Sequence, residues 1–271
     1  MLNKYSKLAF GNLIFSVKNI DNKQINDIFD FLLDNSINTI DTANSYSHDD
    51  NDIGSNERII SNYPRYKEFC ISTKGGSYRK DGYYLPKNDT YFLRENCKNS
   101  LKNLKINFIP IYYLHSFDRI TPIIDIALEM KNLKNQGKIL NLGLSNCEIQ
   151  DLIEFQKYEK VYCIQNRLNP YFQKDFKTGM LDFCKDNDIK YYAYGVFSNI
   201  NENLNDNINK NLKELALRYN TSSQIISLLW LKSKNVIPII SSTNIQHLKE
   251  CINAFNKTNL NENDINIIDN L

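Results

Sequence analysis

Short apolar, β-branched runs recur along the chain at residues 8–10, 37–40, 69–73, 108–114, 139–142, 161–164, 189–193 and 236–239. They predict eight strands. Their apolarity is nearly continuous, without the alternation of a half-exposed sheet, which predicts strands covered on both faces in a parallel sheet. Between them the apolar positions take helical spacing: Ile25, Ile28, Phe29, Leu32 and Leu33; then Ile123, Ile126, Ala127, Met130 and Leu133; then Leu212, Leu215, Ala216 and Tyr219. Thr121-Pro122 reads as an N-cap followed by proline at the first helical position, and Gly137 reads as a helix stop. Strand and helix alternate from start to end, which is the rhythm of βαβ units.

Eight such units predict a closed (β/α)₈ barrel with its active site at the C-terminal rim of the strands, and an open doubly wound sheet is the alternative. A dinucleotide-binding open sheet carries G-x-G-x-x-G after its first strand. Here Phe10-Gly11 is followed by Asn12-Leu13-Ile14, which favours the barrel. The length of 271 residues suits one barrel domain over 1–271. The content of 42% hydrophobic residues suits a large core.

A net charge of +2 without a long basic run gives no footprint for nucleic acid, and no stretch reaches the length of a membrane span. Residues 1–7 lead into the first apolar run without a signal-peptide core, so the expected location is the cytoplasm. Six cysteines without a C-x-x-C pair read as reduced and structural, Cys147 among them. The asparagine-rich segment 199–211 reads as a solvated loop, and His48 as an isolated surface residue with no zinc spacing around it.

Chemistry enters through position. Asp41, Lys74, His115, Ser145-Asn146, Gln165 and Tyr194 each follow the C-terminal end of an apolar run or lie just beyond it. In a parallel barrel these ends share the rim where barrel active sites are built. Asp, Lys, His and the nearby Tyr46 are the types needed to move a proton to a carbonyl oxygen. An ammonium eases proton release from a tyrosine, a carboxylate holds the ammonium, and an imidazole directs a hydrogen bond to the oxygen.

Asp41-Thr42-Ala43-Asn44-Ser45-Tyr46 resembles the "D-T-A-x-x-Y" segment of the aldo-keto reductase superfamily, with Gly54-Ser55-Asn56-Glu57 in place of its "G-x-S-E" turn. Ser72-Thr73-Lys74 is similar to the family's "T-K", and Tyr113-Leu114-His115 to its strand-end "L-H". Gly137-Lys138-Ile139-Leu140-Asn141-Leu142-Gly143-Leu144-Ser145-Asn146 is similar to "G-K-(I/V)-R-x-(I/L)-G-(V/L)-S-N". The resemblance covers nearly the whole chain. It implies a catalytic tetrad of Asp41, Tyr46, Lys74 and His115, a carboxamide site at Ser145, Asn146 and Gln165, and Tyr194 as the residue that stacks on a nicotinamide ring. It also places Gly195, Ser241, Ser242 and Glu250 along the dinucleotide.

Three departures from the family pattern change the expectations. The resemblance implies NADPH as the cofactor, but the basic residues that grip an adenosine 2′-phosphate are replaced by Asn244 and His247, and the helix "E-N" is Glu250-Cys251, which makes NADH also possible. Gly195-Val196-Phe197 lacks the proline common after the stacking tyrosine, and the loop that follows is short, which predicts freer cofactor exchange. Segment 75–88, with Tyr78, Arg79, Lys80, Tyr83 and Tyr84, either lines the substrate mouth or is a solvated surface loop. The resulting expectation is a monomeric, metal-free reductase of a small-molecule aldehyde or ketone. The alternative is a cofactor-binding regulatory barrel that senses redox state with little turnover.

Overall fold

A computed structural model describes residues 5–18, 20–201 and 206–271. Residues 1–4 and the stretch 202–205 of the asparagine-rich segment lie outside the described residues. Eight parallel strands form a closed barrel: β1 (Ala9–Gly11), β2 (Thr39–Asp41), β3 (Cys70–Gly75), β6 (Ile109–Leu114), β7 (Ile139–Ser145), β8 (Cys163–Arg167), β9 (Lys190–Tyr194) and β10 (Ile237–Ile240). Neighbours follow chain order, and β10 returns to β1. Each of the eight apolar runs forms a strand. Most strands continue past the run at its C-terminal end, because the ladder is made by the backbone and tolerates a polar side chain at the rim.

That extension sets the register of the polar residues. Asp41 pairs with Gly11 on one side and Ser72 on the other, Lys74 pairs with Tyr113, and Ser145 pairs with Gln165. β3 and β6 are buried along their whole length, so Lys74 is fixed inside the barrel wall. Gly143 is required on β7, since a Cβ there would overlap the ring of Tyr113.

The chain divides into two compact units, Met1–Gln165 and Asn166–Leu271. In the first, the helix Asn22–Asp34 buries Ile25, Ile28, Phe29 and Leu32, and its N-cap Asp21 accepts from the Gln24 amide at 2.8 Å. The helix Ile123–Asn135 starts one residue later than predicted. Pro122 is its N-cap, and Thr121 is held outside by Asp118, which accepts from the Thr121 amide at 2.8 Å and its hydroxyl at 2.9 Å. Gly137 has φ of 69°, the left-handed conformation of a residue just past a helix end. Segment 75–88 is no plain loop. β4 (Ser77–Lys80) and β5 (Tyr83–Pro86) pair as an antiparallel hairpin.

In the second unit the asparagine-rich segment departs from expectation. The helix Asn207–Arg218 begins within it, capped by Asp206, which accepts from the Asn209 amide at 2.9 Å. Asn209 is buried and accepts from the Asn201 amide at 2.9 Å. Asparagine also occupies left-handed positions at Asn199, Asn220 and Asn235, which its short polar side chain tolerates better than most. The abundance of asparagine therefore does structural work as caps and turns. Trp230, fully buried, donates to Asp269 at 2.7 Å.

Candidate active site

Asp41 and Lys74 form the base of the site in the first unit. The Lys74 ammonium donates to Asp41 Oδ2 at 2.5 Å and to the Thr42 carbonyl at 2.8 Å, and both side chains are almost fully buried. Burial pushes the Lys74 pKa below the usual lysine value, and the Asp41 charge opposes that shift. The carboxylate has two further donors: Ser72 Oγ and Gln165 Nε2, each at 2.8 Å to Oδ1. A buried ion pair needs such satisfaction of its remaining lone pairs to be tolerated.

Tyr46 stands above this pair. Its loop is tied to the end of β3 by the Thr42 amide, which donates to the Ser72 carbonyl at 2.9 Å, and the Asn44 amide, which donates to the Lys74 carbonyl at 3.0 Å. The ammonium lies 5.0 Å from the centre of the Tyr46 ring. His115, one residue past β6, lies edge-on to the same ring, with centroids 5.6 Å apart at 77°. Its amide donates to the Gly75 carbonyl at 2.9 Å. Burial first, and then the Lys74 ammonium, push the His115 pKa down to about 3, so the imidazole is neutral under ordinary conditions. The four residues singled out for proton transfer thus converge from the ends of three strands.

Ser145, Asn146 and Gln165 join them. Ser145 Oγ donates to the Gln165 carbonyl at 2.7 Å, and Asn146 Nδ2 donates to the His115 carbonyl at 2.9 Å. Asn146 takes φ of 53°, which turns the chain out of β7 at this point. With Gln165 Nε2 given to Asp41, the amide oxygen of that side chain suits an N–H donor from a ligand. A hydroxyl and two side-chain amides fixed beside a neutral imidazole and a buried ion pair fit a planar group with its own amide.

The remaining predicted residues lie in the second unit. Tyr194 ends β9, half-buried, and burial raises its pKa while the Arg167 guanidinium opposes this. Gly195 follows with φ of 67°, and its carbonyl accepts from Asn169 Nδ2 at 2.6 Å. Asn169 Nδ2 also reaches the Ser198 carbonyl at 3.0 Å, and Ser227 Oγ donates to the Val196 carbonyl at 2.8 Å. The short loop after Tyr194 is accordingly latched at its start. Ser241 and Ser242 follow β10 at the surface, where Ser242 Oγ accepts from the Asn244 amide at 3.0 Å. Glu250 is exposed on the helix Ile245–Lys257, accepts from Gln246 Nε2 at 3.1 Å, and lines a cavity of about 550 Å³ with Leu217, Asn220, Ser222 and Ile225.

A model described as the aldo/keto reductase family matches residues 7–271. The chain belongs to this family. An uncharacterised oxidoreductase of Schizosaccharomyces pombe is 30% identical over 223 residues, covering 81% of this chain and 70% of that protein. A NAD/NADP-dependent indole-3-acetaldehyde reductase of the same yeast is 29% identical over 177 residues, and the match covers 63% of this chain and 62% of the relative, under two thirds of its length. The solved glycerol dehydrogenase from Gluconobacter oxydans shares the fold, with a TM-score of 0.83 at 20% identity over 98% of this chain and 91% of that one. Membership of the aldo/keto reductases makes the protein a nicotinamide-dependent oxidoreductase.

In this aldo/keto reductase the fold also brings in residues that sequence patterns did not single out. Glu57 is fully buried, accepting from Thr73 Oγ1 at 2.7 Å, Asn103 Nδ2 at 3.0 Å and Asn44 Nδ2 at 3.2 Å. It ties the Tyr46 loop to the neighbour of Lys74, and burial raises its pKa. Ser72, one strand away from Asp41, orients the carboxylate. Glu57 was visible only as part of a turn motif and Ser72 only as the residue before Thr73-Lys74; its place opposite Asp41 comes from the strand register of the fold.

Proposed function

We propose that the chain reduces an aldehyde or ketone to an alcohol, with Tyr46 donating the proton to the carbonyl oxygen. The observation that carries this reading is the packing of the Tyr46 ring against both the Lys74 ammonium and the His115 ring. A nicotinamide, when bound, supplies the hydride to the carbonyl carbon. Lys74, charged and held by Asp41, stabilises the phenolate that remains once Tyr46 has given up its proton. His115 is neutral and therefore offers one N–H to the carbonyl oxygen without competing as an acid. Ser145, Asn146 and Gln165 hold the carboxamide, Tyr194 stacks on the ring, and Gly195, Ser241, Ser242 and Glu250 follow the dinucleotide. Convergence of all four proton-handling residues supports turnover over a regulatory barrel that only binds cofactor.

NADPH is the cofactor that the family resemblance favours, and NADH is accepted as well, because Asn244 and His247 stand where a charge-assisted clamp on the 2′-phosphate belongs and supply no fixed charge there. The relative named for both NAD and NADP supports this breadth. The physiological setting that fits is a cytoplasmic monomer acting on small carbonyl compounds; among the described residues no helix is long and apolar enough to cross a membrane.

Replacing Tyr46 with Phe tests the reading. Turnover should fall by about 10²-fold or more, the contribution of a positioned general acid. Affinity for NADPH and NADH, followed by quenching of protein fluorescence, should stay within about threefold, since a uniform binding contact is not what the hydroxyl supplies. A mutant rate equal to the parent's removes Tyr46 from the chemistry.

A further inference from the structure

The hairpin β4–β5 belongs to neither the barrel nor the proton-handling set, yet it reaches the site. Tyr84, on β5, is half-buried, and its ring centre lies 5.4 Å from that of Tyr46 at 62° and 6.3 Å from that of His115 at 30°. Three rings therefore stand around one point, and two of them carry the groups that act on a carbonyl oxygen. The third is held in place. Arg79, on β4, donates from Nε to Asp50 Oδ1 at 2.8 Å and from Nη1 to the Ser47 carbonyl, and its guanidinium lies 5.9 Å from the Tyr84 ring centre. Asp50 and Ser47 lie in the loop that carries Tyr46, so that loop and the hairpin form one braced piece. The Arg79 cation is engaged by these partners, and burial raises the Tyr84 pKa, which keeps the phenol neutral. The wall that Tyr84 presents is thus a flat, uncharged ring.

The geometry points to Tyr84 as a specificity-determining residue that selects flat, conjugated carbonyl compounds, such as aryl aldehydes, over those branched at the carbon next to the carbonyl. This rests on the carbonyl reduction proposed above. A carbonyl oxygen in hydrogen-bond reach of Tyr46 and His115 places its substituent beside Tyr84, because the three ring centres lie within 6.3 Å of one another. A planar substituent can lie offset or edge-on to that ring at the usual centroid separations of roughly 4.5–7 Å. A carbon bearing three methyl groups has no flat face and meets the ring wherever it turns.

The test compares kcat/KM for benzaldehyde, butanal and 2,2-dimethylpropanal in the parent protein and in the Tyr84→Ala, Tyr84→Phe and Arg79→Ala variants. Loss of the ring should cost about fivefold on benzaldehyde, mostly in KM, the size expected for one aromatic pair. Butanal should change by less than about twofold, and 2,2-dimethylpropanal should improve, because a wall is removed without touching the proton path. Tyr84→Phe should behave as the parent, and Arg79→Ala should shift preference in the same direction as Tyr84→Ala. An equal fall on all three substrates overturns the inference, since the ring would then only prop Tyr46 and His115; so does an unchanged rate on benzaldehyde. Titration with benzamide, a non-reducible aryl amide, separates the two readings. If the parent turns over none of the aldehydes, reduction of these carbonyls is refuted, and benzamide still decides Tyr84: binding weakened about fivefold by Tyr84→Ala upholds its role, and unchanged binding overturns it.

Discussion

Replacing Asp41 with Asn removes one charge and almost no volume, and the structure predicts how the protein responds. The carboxylate accepts from Lys74 Nζ at 2.5 Å, Ser72 Oγ at 2.8 Å and Gln165 Nε2 at 2.8 Å, all within the buried interior. An amide keeps one acceptor and turns the other position into a donor facing donors. Lys74, 1% exposed, then has no anion to hold its charge. Breaking one side of a buried pair costs about 3–5 kcal/mol. In a domain of this size that lowers Tm by about 6–20 °C. The pH dependence gives the sharper signature. Burial already depresses the folded-state pKa of Lys74, and losing Asp41 removes the charge and hydrogen bond that oppose it. An unfolded lysine titrates near about 10.4, so between the depressed folded value and that pH the unfolded chain binds a proton that the folded one refuses. Stability of the variant should therefore rise with pH faster than that of the parent, by up to about 1.4 kcal/mol per unit, and the gap between them should narrow toward about pH 10. Urea titrations of both proteins from about pH 7 to about pH 10 measure this directly. A gap below about 1 kcal/mol at pH 7, or one that stays constant with pH, would refute the reasoning. Adding Lys74→Met to Asp41→Asn should recover much of the loss, since the stranded cation is then gone.

Three further outcomes follow from other parts of the structure. With the His115 pKa pushed down to about 3, kcat/KM should show no inflection from this imidazole between about pH 5 and about pH 8; an inflection in that range that vanishes in His115→Gln contradicts the neutral assignment. By the same shift, stability should fall as pH drops from about 6.5 toward 3, because the unfolded histidine takes up a proton that the folded one does not, and His115→Gln should lose this part of the dependence in acid titrations. Gly143→Ala should cost about 1–3 kcal/mol, because its methyl overlaps the Tyr113 ring and lies 3.1 Å from Cys163 Sγ; a variant with the parent's Tm by calorimetry would mean that the strand can shift to make room.

The eight strands were legible in the sequence because both faces of each are covered, and continuous apolar runs leave a strong local signal. The same signal stopped short at the rim, where the strands run on through Asp41, Lys74, Ser145 and Gln165. Polarity ended the run while backbone pairing continued. The hairpin β4–β5 was hidden for a related reason: its residues mix tyrosines with charges, and its stability draws on Arg79 reaching Asp50, 29 positions away. The buried place of Asn209 within an asparagine-rich stretch was also beyond composition, since it depends on the Asn201 and Asp206 groups that fold around it.

What the sequence determined by itself was the set of chemical groups and the alternating order of strands and helices, both of which are properties of residue type and short-range spacing. The tertiary structure alone decided which groups meet. Asp41 and Lys74 are 33 positions apart and Gln165 is 124 from Asp41, yet all three are in hydrogen-bond contact. Strand register sets such contacts, and register is fixed by packing across the whole barrel and by no stretch of chain on its own.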